Sequence, residues 1–216
     1  MMRRVFLVLL LALAGCSSRP MAPGERAFAE DMFGGTLDVD RVRVTTGPGR
    51  PPPSAARIAP ERLKEIEIRP GLCDRVAPDP GRSEPPPAFA LYDRVHLMPD
   101  FYRPDMMAGW PEAVHGPQTL VFAHELVHVW QWQNRGRTGY HPVRAALESI
   151  VNGDPYFYVP APGEGFLKYG FEQQAALIED YMCYLIVDPE NPRREEIRKI
   201  ISPYFTVGEV AAATGR

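Results

Sequence analysis

The residues best suited to chemistry lie in one short segment just past the middle of the chain. His124 and His128 are four positions apart, and Glu125 directly follows the first of them. Side chains four residues apart lie on the same face of an α-helix, so both imidazoles can reach one metal ion. Glu125 is turned about 100° away from that face, which places it to take a proton from a water molecule instead of binding the metal.

The flanking sequence predicts that this segment is helical. Pro117 suits the first turn of a helix, and neither proline nor glycine follows until Gly136. The alternative is a buried structural helix whose imidazoles are satisfied by backbone carbonyls. An otherwise apolar helix has little reason to cluster polar side chains in this way, because burying each of them costs free energy. The pattern therefore favours a metal site.

Residues 117–133 resemble the active-site helix of the zincin metallopeptidases. The metzincin branch of that family has a third His six residues after the second, where this chain has Asn134, so that branch is excluded. The gluzincin branch, which takes its third ligand from a Glu on a later helix, stays open. The candidate ligands are Glu148, Glu164, Glu172 and Glu179.

Glu172 is the predicted third ligand, with Glu179 as the alternative. Apolar residues at helical spacing predict a core-facing helix over residues 171–186. The sequence Glu-Gln-Gln-Ala-Ala that begins at Glu172 is similar to the Glu-x-x-Ala-Asp segment of membrane-associated gluzincins of the prenyl-protein-processing type, in which that Glu is the ligand. Ala176 stands where those proteins have Asp. The carboxylate that orients a His ligand would then come from Glu179 or Asp180.

The resemblance implies a zinc metallopeptidase with one Zn²⁺ per chain, held by His124, His128 and Glu172. The ion would lower the pKa of a water molecule towards ~7, and Glu125 would take its proton as a peptide bond is attacked. The residue that stabilises the developing oxyanion stays open among Tyr169, Tyr181, Tyr184 and His141. The alternative function is a non-catalytic lipoprotein that uses a zincin-like fold as a binding or structural module. Glu125 favours the peptidase, since a structural zinc site needs no general base.

The resemblance implies that the fold class is α+β. The resemblance implies a small mixed or antiparallel sheet packed against the active-site helix and the second ligand-bearing helix. Residues 88–98 alternate in hydrophobicity as one half-buried strand interrupted at Asp93. By analogy, this strand corresponds to the edge strand that aligns the substrate in zincins. The zincin-like domain is predicted to span residues 61–216.

The start of the chain predicts export and lipid anchoring. Arg3 and Arg4 precede an apolar run over residues 5–13 that is too short to span a bilayer but typical of a signal peptide. The run ends in Leu-Ala-Gly-Cys, which resembles a bacterial lipobox, so residues 1–15 are predicted to be removed and Cys16 to be lipidated. Ser17, rather than Asp, implies the outer membrane, facing the periplasm. Residues 16–60 are rich in proline and glycine and are predicted to form a tether with little order.

Composition limits the partners. The 24 Lys and Arg residues against 27 Asp and Glu give a net charge of −3, which offers no basic surface for nucleic acid. The expected partners are a peptide or protein substrate and a membrane reached through the anchor. Cys73 and Cys183 remain as an even pair, for which a disulfide is permitted in an oxidising compartment but not required. Two buried thiols are the alternative, and no oligomeric state is indicated.

Overall fold

The computed structural model describes residues 18–46, 73–75, 86–112, 116–151, 153–161, 163–208 and 210. Over these residues the chain forms six α-helices and a four-stranded sheet with both parallel and antiparallel pairing. The predicted α+β class is confirmed. The predicted signal peptide and Cys16 lie outside the described residues, as does the predicted domain boundary at residue 60.

In the part of the chain that the structure describes, one helix lies between the first two strands, and the other five α-helices follow the last strand. The strands are β1 (Ser18–Pro20), β2 (Arg43–Thr45), β3 (Ala88–Leu91) and β4 (Arg94–Leu97). The helices are α1 (Pro23–Phe33), α2 (Gly116–Gln133), α3 (Arg135–Thr138), α4 (Pro142–Val151), α5 (Phe171–Val187) and α6 (Pro192–Ile201). Within the described ranges, none of the helices is both long and apolar enough to cross a membrane.

The sheet joins β1 and β2 to the later pair β3 and β4 in the order β1-β2-β4-β3. Strand β2 pairs in parallel with β4, with Val44 opposite Val95, and both valines are fully buried. Strands β1 and β3 pair antiparallel on the two outer sides. Helix α2 packs between β3 and β4 on one side and α5 on the other. The helix that carries His124 and His128 therefore lies at the centre of the fold.

Residues 88–98 form a hairpin rather than the single interrupted strand that was predicted. The chain reverses at Tyr92 and Asp93, with Tyr92 in the left-handed region at φ 55° and Leu91 paired with Arg94. The reversal puts Leu91 on the opposite face from Val95, although their spacing suggested a shared face. Burial follows the hairpin, because Leu91 is 37% exposed whereas Val95 is fully buried. Alternation alone could not reveal a two-residue turn within the pattern.

The prediction of a disordered tether over residues 16–60 is wrong for residues 18–46. Helix α1 packs its apolar side into the core, and Phe28 stacks edge-on against Trp110 with ring centroids 5.0 Å apart. The proline and glycine content suggested a tether, but these residues lie at the two ends of the helix. Pro23 lies in its first turn and Gly34, at φ 53°, follows its end. The remainder of the predicted tether, residues 47–60, lies outside the described residues.

A buried carboxylate fixes this amino-terminal part to the rest of the domain. Glu25 is fully buried and accepts hydrogen bonds from both terminal nitrogens of Arg19, each at 2.7 Å. It also accepts the backbone N–H of Ala22 at 2.7 Å and that of Met106 at 2.9 Å. Strand β1, helix α1 and the segment before α2 therefore meet at one side chain.

Replacing Glu25 with Ala should lower the free energy of unfolding by about 3–5 kcal/mol, because it leaves the Arg19 cation and a buried N–H without their partner. Urea denaturation followed by circular dichroism measures the change. Glu30→Ala is the matched control, since Glu30 lies on the same helix but is exposed and should change stability by less than about 0.5 kcal/mol. Equal stabilities of the two variants would mean that residues 18–46 are not part of the cooperative fold.

The sequence left the pairing of the two remaining cysteines open, and the structure shows that they form a disulfide. Cys73 is bonded to Cys183 on α5, and their Cα atoms are 5.7 Å apart. Trp130 on α2 has a packing role, because it is fully buried and its ring lies 4.9 Å from that of Phe205.

Candidate metal centre

Helices α2 and α5 bring three ligand-type side chains together. The Nε2 atoms of His124 and His128 each lie 3.2 Å from Oε2 of Glu172. The ligand atoms of the three residues all lie within 4.8 Å of one another, and both imidazoles are buried. The four-residue spacing on α2 places the imidazoles on one face, and α5 supplies the carboxylate opposite them. This group could hold a metal ion.

The geometry and chemistry of the group fit zinc. Two ligand atoms about 2.1 Å from a tetrahedral zinc ion are about 3.4 Å apart, close to the 3.2 Å separations between Glu172 and each imidazole. Two imidazoles and one carboxylate form a donor set typical of catalytic zinc sites, which keep a fourth position open. Beside them, the buried Oε2 of Glu125 has no hydrogen-bond partner in the described part of the chain. A buried carboxylate oxygen without a hydrogen-bond partner is suited to accept a proton as a general base.

Both imidazoles are oriented through their other nitrogen. Nδ1 of His124 lies 3.2 Å from Oε2 of Glu179, and Nδ1 of His128 lies 2.9 Å from Oε1 of Gln131. An oxygen acceptor at Nδ1 orients each ring so that Nε2 is directed towards Glu172, where it can bind a metal ion once it is deprotonated. Glu179 therefore contacts the far side of His124, whereas Glu172 lies between the two Nε2 atoms.

Gln131 is a site residue that the sequence reasoning missed. It is fully buried, and its Nε2 donates to the backbone oxygen of Phe171 at 3.1 Å and to Oε1 of Gln174 at 3.0 Å. These bonds fix the amide so that its Oε1 accepts from His128. The available signal was a glutamine three residues after His128, on the same helical face.

The pKa of each ionisable side chain at the site depends strongly on its neighbours. Burial alone lowers the pKa of His124, but hydrogen bonds to Glu172 and Glu179 outweigh it and raise that pKa to about 10. Burial alone raises the pKa of Glu172, yet the neighbouring imidazoles hold it far below its usual range. The carboxylates therefore stabilise a positive charge at the three-residue group. Burial raises the pKa of Glu125, so its carboxylate is a stronger base than an exposed one.

Aromatic side chains border the imidazoles. Tyr140, just before α4, stacks on His128 with ring centroids 6.0 Å apart, and Tyr156, after α4, lies 5.7 Å from the ring of His124. Burial raises the pKa of Tyr140, and the carboxylates of Glu172 and Glu125 raise it further. The Tyr140 hydroxyl therefore keeps its proton at neutral pH.

The residues predicted to stabilise an oxyanion have other partners. The Tyr169 hydroxyl accepts the N–H of Ala161, the Tyr181 hydroxyl donates to the Val207 carbonyl, the Tyr184 hydroxyl donates to Asp74, and His141 accepts the N–H of Val143. Of the other candidate ligands, Glu164 is exposed and Glu148 lies on α4. Neither is part of the three-residue group.

Comparison with known proteins adds one distant likeness. No family model matches the chain, and no curated protein matches it in sequence. Among solved structures, the chain is similar to the effector domain of Pseudomonas aeruginosa VgrG2b, with 18% sequence identity and a TM-score of 0.48 over 86% of this chain and 83% of that one. At this level the likeness carries no argument about function.

Proposed function

We propose that the protein is a zinc-dependent metallopeptidase of the gluzincin type, anchored to the bacterial cell envelope by a lipidated Cys16. The observation that carries the proposal is the meeting of His124, His128 and Glu172 beside a buried Glu125. Imidazole ligands favour zinc over magnesium or calcium, which prefer oxygen donors. The helical His-Glu-x-x-His arrangement supports the same class of enzyme.

Each side chain has a distinct part in the reaction. When bound, zinc supplies Lewis acidity that polarises the scissile carbonyl and lowers the pKa of a water molecule. Glu125 takes up the proton of the attacking water at Oε2 and passes it to the departing amine. Its raised pKa suits this exchange, because a carboxylate of ordinary pKa holds a proton too weakly at neutral pH. Gln131 and Glu179 hold the two imidazoles so that their Nε2 atoms stay directed at the ion.

The sheet supports a peptide as the substrate. Strand β3 lies at the end of the strand order and packs against α2, the helix that carries Glu125. An extended peptide can add to an edge strand through main-chain hydrogen bonds. Phe89 on β3 is 48% exposed, which offers an apolar contact for a substrate side chain.

The proposal is tested by metal analysis combined with hydrolysis of a mixed peptide library. We expect about one zinc per purified chain, cleavage of library peptides, loss of both on treatment with a chelator, and recovery of both when zinc is restored. Zinc without hydrolysis would favour the non-catalytic binding module. A protein that binds no zinc at all would overturn the proposal.

A further inference from the structure

A second network of contacts runs from the disulfide to the metal centre. The structure describes residues 73–75 at this place, and each of the three contacts α5. The contacts are the disulfide from Cys73 to Cys183, the Asp74 carboxylate accepting the Tyr184 hydroxyl, and the Arg75 guanidinium reaching both Glu179 and Asp180.

Arg75 joins two neighbouring carboxylates of α5. Its Nη2 lies 2.8 Å from Oε2 of Glu179, and its Nε lies 2.9 Å from each oxygen of Asp180. Asp180 is buried and also accepts the hydroxyl of Tyr158 at 2.7 Å. Burial alone lowers the pKa of Arg75, but the two carboxylates outweigh it and raise that pKa, so the guanidinium stays charged. The guanidinium is held in one orientation by Asp180 and presents Nη2 to Glu179.

Glu179 links the fixed guanidinium of Arg75 to His124, one of the proposed metal ligands. The oxygen that accepts from Arg75, Oε2, is the same atom that lies 3.2 Å from Nδ1 of His124. The Glu179 side chain is 24% exposed, so holding it in one rotamer has an entropic cost that a fixed guanidinium offsets. Partners that orient a metal-bound imidazole change metal affinity by about 10–100-fold when they are removed.

We propose that Arg75 is a positioning residue for the metal centre, and that the Cys73–Cys183 disulfide holds it in place, so that opening the disulfide weakens metal binding. The inference rests on the proposed function, because it assumes that His124 binds a metal. A dithiol would open the bond: it becomes a disulfide itself, and its two electrons and two protons convert Cys73 and Cys183 to thiols. Metal affinity would then follow the redox state of the compartment.

Electrostatics alone predicts the opposite effect, which makes the inference testable. Arg75 is a cation near the site, and removing it would reduce repulsion of Zn²⁺. It would also remove one positive charge that offsets the carboxylate of Glu179 beside His124. Both changes favour tighter zinc binding. Weaker binding after removal of Arg75 therefore reports the loss of positioning and not the loss of charge.

The first test measures zinc affinity by competition with a chromophoric chelator. Arg75→Met should bind zinc about 10-fold more weakly, and Glu179→Ala about 10–100-fold more weakly. In the Glu179→Ala background, Arg75→Met should cause no further loss, because the acceptor that Arg75 holds in place is already absent. Unchanged or tighter binding in the single Arg75 variant overturns the inference, as does an equal loss in both backgrounds, which would indicate a general structural effect.

Arg41→Met provides the matched control. It removes the same charge from an ion pair with Asp93 at 2.8 Å, on a half-exposed guanidinium outside the network. Its zinc affinity should equal that of the wild type. If the oxidised wild type binds no zinc, the proposed function fails together with this inference. If the wild type and Arg75→Met bind zinc equally well, this inference fails alone.

The second test addresses the disulfide. A variant with both Cys73→Ser and Cys183→Ser should lose zinc affinity by the same factor as Arg75→Met, and adding Arg75→Met to it should change nothing further. Wild type treated with a water-soluble phosphine should behave like the double variant. If circular dichroism shows that the double variant is unfolded, the zinc affinity of the phosphine-treated wild type decides the test. Zinc affinity that does not change when the disulfide is opened overturns the redox part of the inference.

Discussion

Replacing Glu125 with Gln is expected to lower hydrolysis of the library peptides by about 10²–10⁴-fold, the range for loss of a general base. The carboxylate is not among the three ligand-type residues, so the variant should still hold about one zinc per chain. Gln has nearly the same shape and can fill the same buried position, which limits any effect on folding. Turnover rates and metal content measured on the same preparation separate catalysis from binding.

Glu164→Gln is the matched control for this experiment. Glu164 is exposed and lies outside the ligand group, so the same chemical change there should leave both rate and zinc content unaltered. Activity of Glu125→Gln equal to that of the wild type would remove Glu125 from the mechanism. Loss of zinc from Glu125→Gln would instead show that the carboxylate supports the ion and not the proton transfer.

Replacing Glu172 with Ala is expected to strip the protein of zinc at chelator concentrations that leave the wild type loaded. The carboxylate is the only ligand from α5 in the group, so only two imidazoles on one helix would remain. Because the ion would join α2 to α5, the variant should also gain less stability from added zinc. Equilibrium dialysis against a chelator and thermal unfolding with and without zinc measure the two effects.

Glu179→Ala on the same helix is the comparison that identifies the third ligand. Glu179 contacts Nδ1 of His124 and not Nε2, so its removal should weaken zinc binding by only about 10–100-fold. A metal-free Glu179 variant beside a normally loaded Glu172 variant would reverse the assignment. That outcome would move the metal to the other side of His124 and would contradict the orientation of the imidazole ring seen here.

The part of the site that the sequence could predict is the part that is local. His124, Glu125 and His128 lie within about one helical turn, and their relative directions follow from the geometry of the α-helix alone. Glu172 comes from another helix, and only the family resemblance singled it out from the other candidates. The contact between Arg75 and Glu179 spans 104 residues and follows no local rule, so nothing in the sequence indicated it.

The errors in the predicted fold have two different origins. Proline and glycine around α1 suggested a tether, because composition does not show that Phe28 and Met32 find a core to fill. The alternation through residues 88–98 indicated strands correctly, but the turn at Tyr92 lacks the glycine or asparagine that usually reveals a left-handed position. The first error therefore concerns contacts with residues distant in the sequence, whereas the second concerns a local turn that the residue types do not mark.

The position of β1 limits how far the protein could reach from a membrane. Strand β1 begins at Ser18, and two residues of extended chain span about 7 Å. If Cys16 carries lipid as proposed, the folded domain begins within that distance of the bilayer surface. It then cannot move far from the membrane to reach a substrate. If the protein is a peptidase as proposed, its substrates would be peptide segments that pass close to the membrane.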